Sequence, residues 1–459
     1  MKSSSENGIP KSPESTFRVF FISLGCDKNL VDSEQMTGLL VKRGYRMVTE
    51  AKDADIIVVN TCCFIGDAKE ESINTIIEMG QTGRKLIVCG CLAQRYAEEI
   101  KKEMPEVDAI VGTTSIDAIA DAADEVMAPA QTENRAKEPF VHTASIDRYV
   151  YLTGSRELSA PVSASLKIAD GCNKNCSYCV IPQVRGHYRS VPMDDIISDA
   201  KDLAERGIKE LILIAQETTV YGTDLYGKKA LPELLHRLCA IEGPEWIRLM
   251  YCYPEEITDE LIECIASEPK ICHYLDMPIQ HCSDRILRLM GRKTDKKSLV
   301  NITKKLRRRI PDIALRTTLI SGFPGETEEE HRELLDFVRG MRFDRLGDFT
   351  YSAEEGTKAA GMKGQIHHST KKRRQREIME AQQQVAFENE AALNGRRIRV
   401  MIEGVIDGGV YVARSYRDAP DIDGYVYIEN AKGAGYMSGD MTDVMITGSR
   451  GYDLLADMI

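Results

Sequence analysis

Short apolar runs rich in Val, Ile and Leu alternate with amphipathic stretches along most of this chain. Residues 17–24 (FRVFFISL), 54–60 (ADIIVVN) and 85–90 (KLIVCG) have the pattern of buried parallel strands. A segment of helical periodicity follows each, at 33–43, 68–79 and 94–102, and the Met104-Pro105 stop and residues 109–111 continue the rhythm. Alternation of this kind predicts a doubly wound α/β domain over residues 17–150. A second series predicts strands at 210–215, 246–251, 274–278 and 314–321, with helices at 194–205, 232–240, 259–266, 297–310 and 326–340. That series points to a full or partial parallel (β/α) barrel. From residue 396 the pattern shortens and glycine breaks it, with strands expected at 397–403, 409–413, 424–428 and 441–448 in a small antiparallel β-barrel. Between the first two series, the polar stretch 128–138, a strand or two around 140–152 and the Ser/Gly/Ala-rich stretch 153–164 read as connection. The expected plan is a disordered tail at 1–16, a first domain at 17–150, a linker at 151–164, a barrel domain at 165–390 and a small barrel at 391–459.

Composition narrows the class. The 459 residues are 43% hydrophobic and 29% charged, as in an ordinary soluble globular protein. No apolar run approaches a membrane span and the N-terminus has no export signal, so a cytoplasmic protein that avoids membranes is expected. Thirteen cysteines in that compartment suggest metal or redox chemistry rather than crosslinks. The net charge of −11 leans against a protein whose main task is gripping RNA. Two basic runs, Lys371–Arg374 and Arg307–Arg309, lie in segments of helical character, where a solvated face is the simplest account. Residues 371–390 as a whole read as a charged, mostly solvated helix. The last segment carries seven basic against ten acidic residues, a balance that suits a partner with basic surface better than RNA.

The chemistry concentrates in cysteines. Cys172, Cys176 and Cys179 stand at C-x3-C-x2-C spacing just after an apolar run. Iron–sulfur cubes usually take four thiolates, so a loop supplying three leaves one iron open to a small molecule. Zinc sites want paired C-x2–4-C units or a Cys pair with a His pair, and His187 lies beyond a Pro-Gln-Val-Arg-Gly turn. Cys26, Cys62 and Cys91 each fall just past a predicted strand, and loops at the carboxyl ends of parallel strands converge on one edge. A second three-thiolate site is therefore expected, although pattern alone does not choose Cys62 over the adjacent Cys63. Cys89, inside a strand run, reads as a buried hydrophobe, and Cys239, Cys252, Cys264, Cys272 and Cys282 as packing thiols. In the barrel, Gln216, Glu217 and Gln280 at strand ends are candidates to hold polar parts of a cofactor. Gly322 serves either a turn or close approach to a ligand, and His281 reads as a hydrogen-bonded structural residue.

Several ordered motifs carry a family resemblance. They are residues 24–34 (LGCDKNLVDSE), 60–62 (NTC), 90–96 (GCLAQRY), the Cys172 loop and 322–327 (GFPGET). Across nearly its whole length the chain resembles the radical S-adenosylmethionine methylthiotransferases. The resemblance implies two 4Fe–4S clusters, one on Cys26, Cys62 and Cys91 and the other on Cys172, Cys176 and Cys179, and a C-terminal TRAM barrel. It implies S-adenosylmethionine as both radical source and methyl donor, with Tyr178 offering backbone to the adenine edge and Gln216, Glu217, Gln280 and Gly322 as weaker contacts. One branch of the family modifies adenosine in transfer RNA, and another an aspartate of the twelfth ribosomal small-subunit protein. Residues 412–424 (VARSYRDAPDIDG) look like the ribosomal-protein branch and lack the Gly-Arg-Thr…Asn-Arg pattern of the other. Where many relatives have Arg and an aromatic residue, this chain has Val191 and Ser165, departures that touch local contacts rather than the chemistry. The expected partners are the ribosomal protein, an electron donor such as flavodoxin or ferredoxin, and a sulfur donor, with RNA contact through the barrel less favoured. Transfer-RNA methylthiolation and a non-catalytic zinc- and RNA-binding protein are the alternatives.

Overall fold

The computed structural model describes residues 17–128, 138–148, 150–152, 154, 156–430 and 435–459. The tail expected at 1–16 and most of the polar stretch 128–138 lie outside them. The chain forms two compact units, residues 1–63 with 67–157, and residues 64–66 with 158–459.

In the first unit, β1 (Arg18–Ser23), β2 (Arg46–Met47), β3 (Ile56–Thr61), β4 (Lys85–Gly90), β5 (Ala109–Gly112) and β6 (Phe140–His142) form one sheet in the order β2-β1-β3-β4-β5-β6. Every pairing is parallel. Apolar side chains of β1, β3, β4 and β5 share a core with Met36, Leu40, Ile119 and Val126. The helices are α1 (Asp27–Arg43), α2 (Gly66–Gly80), α3 (Cys91–Arg95), α4 (Ala97–Glu103) and α5 (Ile119–Met127). Among the described residues of 140–152, where one or two strands were expected, one short strand, β6, forms. The strand order reverses between β1 and β3, and ligands of open α/β sheets bind at such a switch point. Helix α1 begins six residues earlier than its apolar periodicity suggests, because Lys28, Asn29, Asp32, Ser33, Glu34 and Gln35 are polar yet buried.

The second unit opens with β7 (Ser163–Lys167), which starts inside the stretch read as linker. The short strands β8 (Ala169–Asp170) and β9 (Arg189–Ser190) pair antiparallel and flank α6 (Ile181–Val184). Next come α7 (Met193–Glu205), β10 (Glu210–Ile214), α8 (Leu231–Cys239), β11 (Trp246–Leu249), α9 (Asp259–Ser267) and β12 (Ile271–Asp276). They are followed by α10 (Asp284–Leu289), α11 (Lys296–Arg309), β13 (Ala314–Ser321), α12 (Glu328–Met341), β14 (Arg345–Thr350) and α13 (His368–Ala391). The six long strands form a parallel sheet in the order β14-β13-β12-β11-β10-β7, a partial barrel. Helix α13 is not mostly solvated: it buries Arg374, Ile378, Ala381, Gln382, Val385, Ala386 and Glu390. Within the basic runs, Arg373 pairs with Glu328 and Glu377, Arg374 with Glu328, and Arg309 with Glu263.

The C-terminal barrel closes through β15 (Arg397–Ile406), β16 (Val410–Ser415), β17 (Val426–Ile428), β18 (Met441–Arg450) and β19 (Asp453–Met458). All its pairings are antiparallel except β17 with β19, which run parallel and complete the closure. The segment after β16 docks against the amino-terminal ends of the parallel strands through charges that are almost wholly buried. Arg414 donates to Glu210 at 2.6 Å and to the Asp418 carbonyl at 2.9 Å. Arg248 donates to Glu210 at 2.7 Å and to the Tyr416 carbonyl at 2.7 Å. Arg345 meets Asp418 at 2.5 Å, Arg417 meets Asp344 at 2.6 Å, and the Tyr274 hydroxyl donates to Asp423 at 2.8 Å. Residues 414–423, within the stretch that carries the branch resemblance, thus pack against the parallel sheet.

Candidate functional site

In the first unit the three cysteine loops are tied together by one side chain. The Asn29 amide donates to the carbonyls of Leu24 and Thr61, each at 3.0 Å, and its oxygen lies 3.7 Å from Cys91 Sγ. Leu24 precedes Cys26 in the loop after β1, and Thr61 directly precedes Cys62. Cys26 stands at the N-cap of α1 without using its side chain to cap it. A Cβ on Gly25, whose φ is +93°, would come within 2.8 Å of Cys62 Cβ, so only glycine lets those two loops approach. Gly90, at φ +91°, plays the same part beneath Cys91, where a Cβ would meet Asn60 Oδ1 at 2.2 Å. The Cys62 backbone is clamped by the Ser72 hydroxyl, which accepts from its N–H at 3.0 Å and donates to its C=O at 2.9 Å. Cys63 and Cys89 are fully buried, whereas Cys26 is exposed.

In the second unit the Cys172–Cys179 loop is closed by the β8–β9 pair. Gly171, at φ +77°, turns the chain where a Cβ would collide with the His187 carbonyl at 2.1 Å, and the Cys172 N–H donates to the Gly186 carbonyl. The loop is pinned from the other side at Ser177, whose N–H and hydroxyl donate to the carbonyls of Met290 and Leu289. Two sulfurs accept backbone N–H groups, Cys172 from Lys174 at 3.4 Å and Cys179 from Ile181 at 3.5 Å. Burial pushes the Cys172 thiol up to about 11, and neighbouring Cys176 adds to the shift. Burial raises Cys179 further, with Cys176 and Cys172 contributing. The fold brings the three cysteine loops of the first unit together and pins the single loop of the second; among the described residues no group of three or more His, Cys, Asp or Glu side chains is gathered at metal-holding distance.

The strand-end candidates resolve into different roles. Glu217 is 1% exposed, and burial pushes its carboxyl up to about 7 against the pull of Thr219 and Lys174. Its Oε2 has no hydrogen-bond partner, and the nearest cation, Lys174 Nζ, is 3.9 Å away and ion-paired with Glu256. The Gln216 amide donates to Asp170 at 2.9 Å, while its buried oxygen has no partner. Gln280 has φ +71°, and its backbone is laced to β13 through the Thr318 carbonyl and the Ile320 N–H. Gly322, at φ +77°, serves a turn whose N–H groups are held by Glu326, and a Cβ there would meet Lys371 Cγ at 2.4 Å. Packing against Lys371 therefore accounts for that glycine without a ligand. Tyr178 packs against an apolar cluster formed by Ile286, Met290, Phe323, Tyr351 and Ala359.

Three residues that sequence reasoning missed surround the same loop. The Arg292 guanidinium lies 4.1 Å over the Tyr253 ring and bonds Glu255 and the Pro278 carbonyl, yet its Nε and one terminal nitrogen have no partner. The Tyr253 hydroxyl is 3.8 Å from Cys176 Sγ. Asp170 is held well below the usual carboxylate range: burial opposes ionisation, but Arg185, Lys167 and the Gly171 N–H outweigh it. Tyr253 follows β11 just as Glu217 follows β10, so the strand-end rule extends to it. No local pattern marks Arg292.

A parallel partial barrel whose first strand leads into a C-x3-C-x2-C loop, followed by a small closed barrel, defines a radical S-adenosylmethionine protein with a TRAM domain. In agreement, residues 166–338 match the Radical SAM superfamily and residues 395–459 the TRAM domain, while residues 18–112 match an uncharacterized protein family, UPF0004. The protein named ribosomal protein uS12 methylthiotransferase RimO in Lachnoclostridium phytofermentans is 56% identical over 444 residues, covering 95% of this chain and 99% of that one. Those of Acetivibrio thermocellus and Clostridioides difficile are 49% and 47% identical, with 98% of each relative covered. The chain belongs to the RimO family of ribosomal protein uS12 methylthiotransferases. Among solved structures, the radical S-adenosylmethionine methyltransferase TsrM of Kitasatospora setae shares the fold, with a TM-score of 0.53 at 15% identity over 72% of this chain and 73% of that one.

Proposed function

We propose that this protein inserts sulfur into the β-carbon C–H bond of an aspartate of ribosomal protein uS12 and methylates it. The observation that carries the reading is the 56% identity to a uS12 methylthiotransferase over 99% of that relative's length. The donor sets fit two clusters chemically, since one is three cysteine loops brought together by backbone and the other three cysteines on a single backbone-pinned loop. Cys172, Cys176 and Cys179 would hold the radical cluster, and Cys26, Cys62 and Cys91 the auxiliary one. When bound, a cluster with an open iron and S-adenosylmethionine supply the radical that removes an unactivated hydrogen, which a positioned base cannot do.

The protein's own groups orient and shield. The Glu217 carboxylate is set to accept from an ammonium group, because its Oε2 is buried and lacks a donor. Arg292 offers its open N–H groups to a carboxylate, stacked on Tyr253 so that little rotamer freedom is lost on binding. Gln216 steadies Asp170 at the mouth of the cysteine loop. The acidic TRAM segment supports a basic ribosomal-protein target over RNA. An electron donor such as flavodoxin or ferredoxin and a sulfur donor complete the partner set, and the cytoplasm, where ribosomes work, is the expected compartment. No described helix is long and apolar enough to cross a membrane. The test is mass spectrometry of uS12 and of transfer RNA from a strain lacking this protein. Loss of methylthiolation on uS12 is expected; loss on transfer RNA with uS12 unchanged overturns the assignment.

A further inference from the structure

Behind the rim of the partial barrel, three fully buried polar atoms lack a hydrogen-bond partner, His281 Nε2, Glu326 Oε1 and His331 Nδ1, and both histidine nitrogens approach the same Glu326 oxygen. The side chains come from three places: the loop after β12, the end of the turn after β13, and the first turns of α12. His281 Nε2 lies 4.0 Å and His331 Nδ1 3.9 Å from Glu326 Oε1. These gaps are too long for direct hydrogen bonds, yet one oxygen atom about 2.8 Å from each would bridge them.

Two histidines and a carboxylate suggest a metal, but the hydrogen bonds argue otherwise. The Ser283 N–H donates to His281 Nδ1 at 2.9 Å, so the proton of that ring sits on Nε2, where a metal would need a lone pair. An ion about 2.1 Å from both His281 Nε2 and Glu326 Oε1 would subtend roughly 145°, far from tetrahedral. The Arg374 guanidinium, 3.4 Å from the same Glu326 oxygen, adds a positive charge that disfavours a cation. Water satisfies every group. It accepts from His281 Nε2–H and donates to Glu326 Oε1 and to His331 Nδ1, whose other nitrogen faces Glu377 at 2.6 Å.

We infer that a single buried water, and not a metal ion, occupies the point between His281, Glu326 and His331 and latches the rim loops after β12 and β13 to α12. The latch bears on the cofactor face, because His281 adjoins Gln280 and Glu326 Oε2 holds the N–H groups of Gly322 and Phe323.

The test is a crystal structure of the full, cluster-loaded protein at atomic resolution, with anomalous maps at the zinc and iron edges. One density peak contacting all three atoms and lacking anomalous signal is expected. An anomalous peak at that point, or empty density, overturns the inference. A second measurement keeps it testable if crystals fail. In ¹⁵N-histidine spectra of the same protein, His281 is expected as the Nε2–H tautomer with an exchange peak to water. The variant Ser283→Pro, which removes the N–H that fixes this tautomer, is expected to lose the signature. A spectrum with the proton on Nδ1 in the unaltered chain overturns the inference.

Discussion

Replacing Arg414 by methionine isolates the buried charge seam beneath the partial barrel. Arg414 is 1% exposed, and its partners are Glu210, Glu403, the Asp418 carbonyl and the Ser163 hydroxyl. Methionine retains most of the apolar volume, so the loss is electrostatic rather than a cavity. Removing one partner of a buried pair costs about 3–5 kcal/mol, because the other charge stays desolvated. Glu210 retains Arg248, which places the expected cost near the lower end, about 3 kcal/mol. At about 2 °C per kcal/mol for a unit of this size, the unfolding temperature falls by roughly 6 °C. The seam holds Glu210 down to about 2: burial raises its pKa, but Arg414 and Arg248 outweigh it. Its stabilisation is therefore complete above the ordinary glutamate value and lost only as pH falls through about 2, so pH 7 is a safe condition for the assay. The chain has one tryptophan, Trp246 in β11, near Arg248, so fluorescence during urea unfolding reports on this seam. Arg399→Met is the control, since its pair with Glu245 is half exposed and is worth under about 1 kcal/mol. Adding Glu210→Gln to Arg414→Met should deepen the loss, because the fully buried Arg248 then lacks a counter-charge. If Arg414→Met unfolds with the same midpoint as Arg399→Met, the reasoning about the seam fails.

Three further outcomes are expected. Cys62→Ala and Cys176→Ala each remove about one cluster's iron, whereas Cys63→Ala and Cys239→Ala leave iron content and absorbance near 400 nm unchanged; iron loss in Cys63→Ala refutes the choice of Cys62. Because burial holds the Glu217 carboxyl at about 7, binding of S-adenosylmethionine measured anaerobically should tighten as pH rises through 7. Glu217→Gln should flatten that profile, and an identical profile in both proteins removes Glu217 from the site. Gly322→Ala should cost about 1–2 kcal/mol from its left-handed backbone alone, with a further loss from Lys371 that Lys371→Ala relieves in the double variant, read from urea midpoints.

How far the sequence reached depended on where each residue's partners lie. Strands β4 and β13 were legible residue for residue, because their apolar runs pack into cores whatever lies beyond them. Strand β14 was not predicted, because its charges break the apolar pattern; in the fold Arg345 pairs with Asp418 and Glu390, and Asp348 accepts from Ser321. Strand β19 was also missed, and it supplies the one parallel pairing that closes the C-terminal barrel. The cysteine loops could be placed from topology alone, since strand ends converge by rule. Arg292 could not, because its importance comes from stacking on Tyr253 across the fold. The stretch 412–424 marks the branch by resemblance, but its charges serve the seam.

That seam sets a rule for dissection. Cutting after α13 would take Arg414, Arg417, Asp418 and Asp423 with the TRAM barrel and leave Glu210, Arg248, Asp344 and Arg345 on the sheet, exposing unpaired charges on both pieces. A fragment that carries both sides of the seam, from β7 to the carboxyl terminus, should fold, whereas pieces cut at the apparent domain border should not, as circular dichroism of each purified fragment would show.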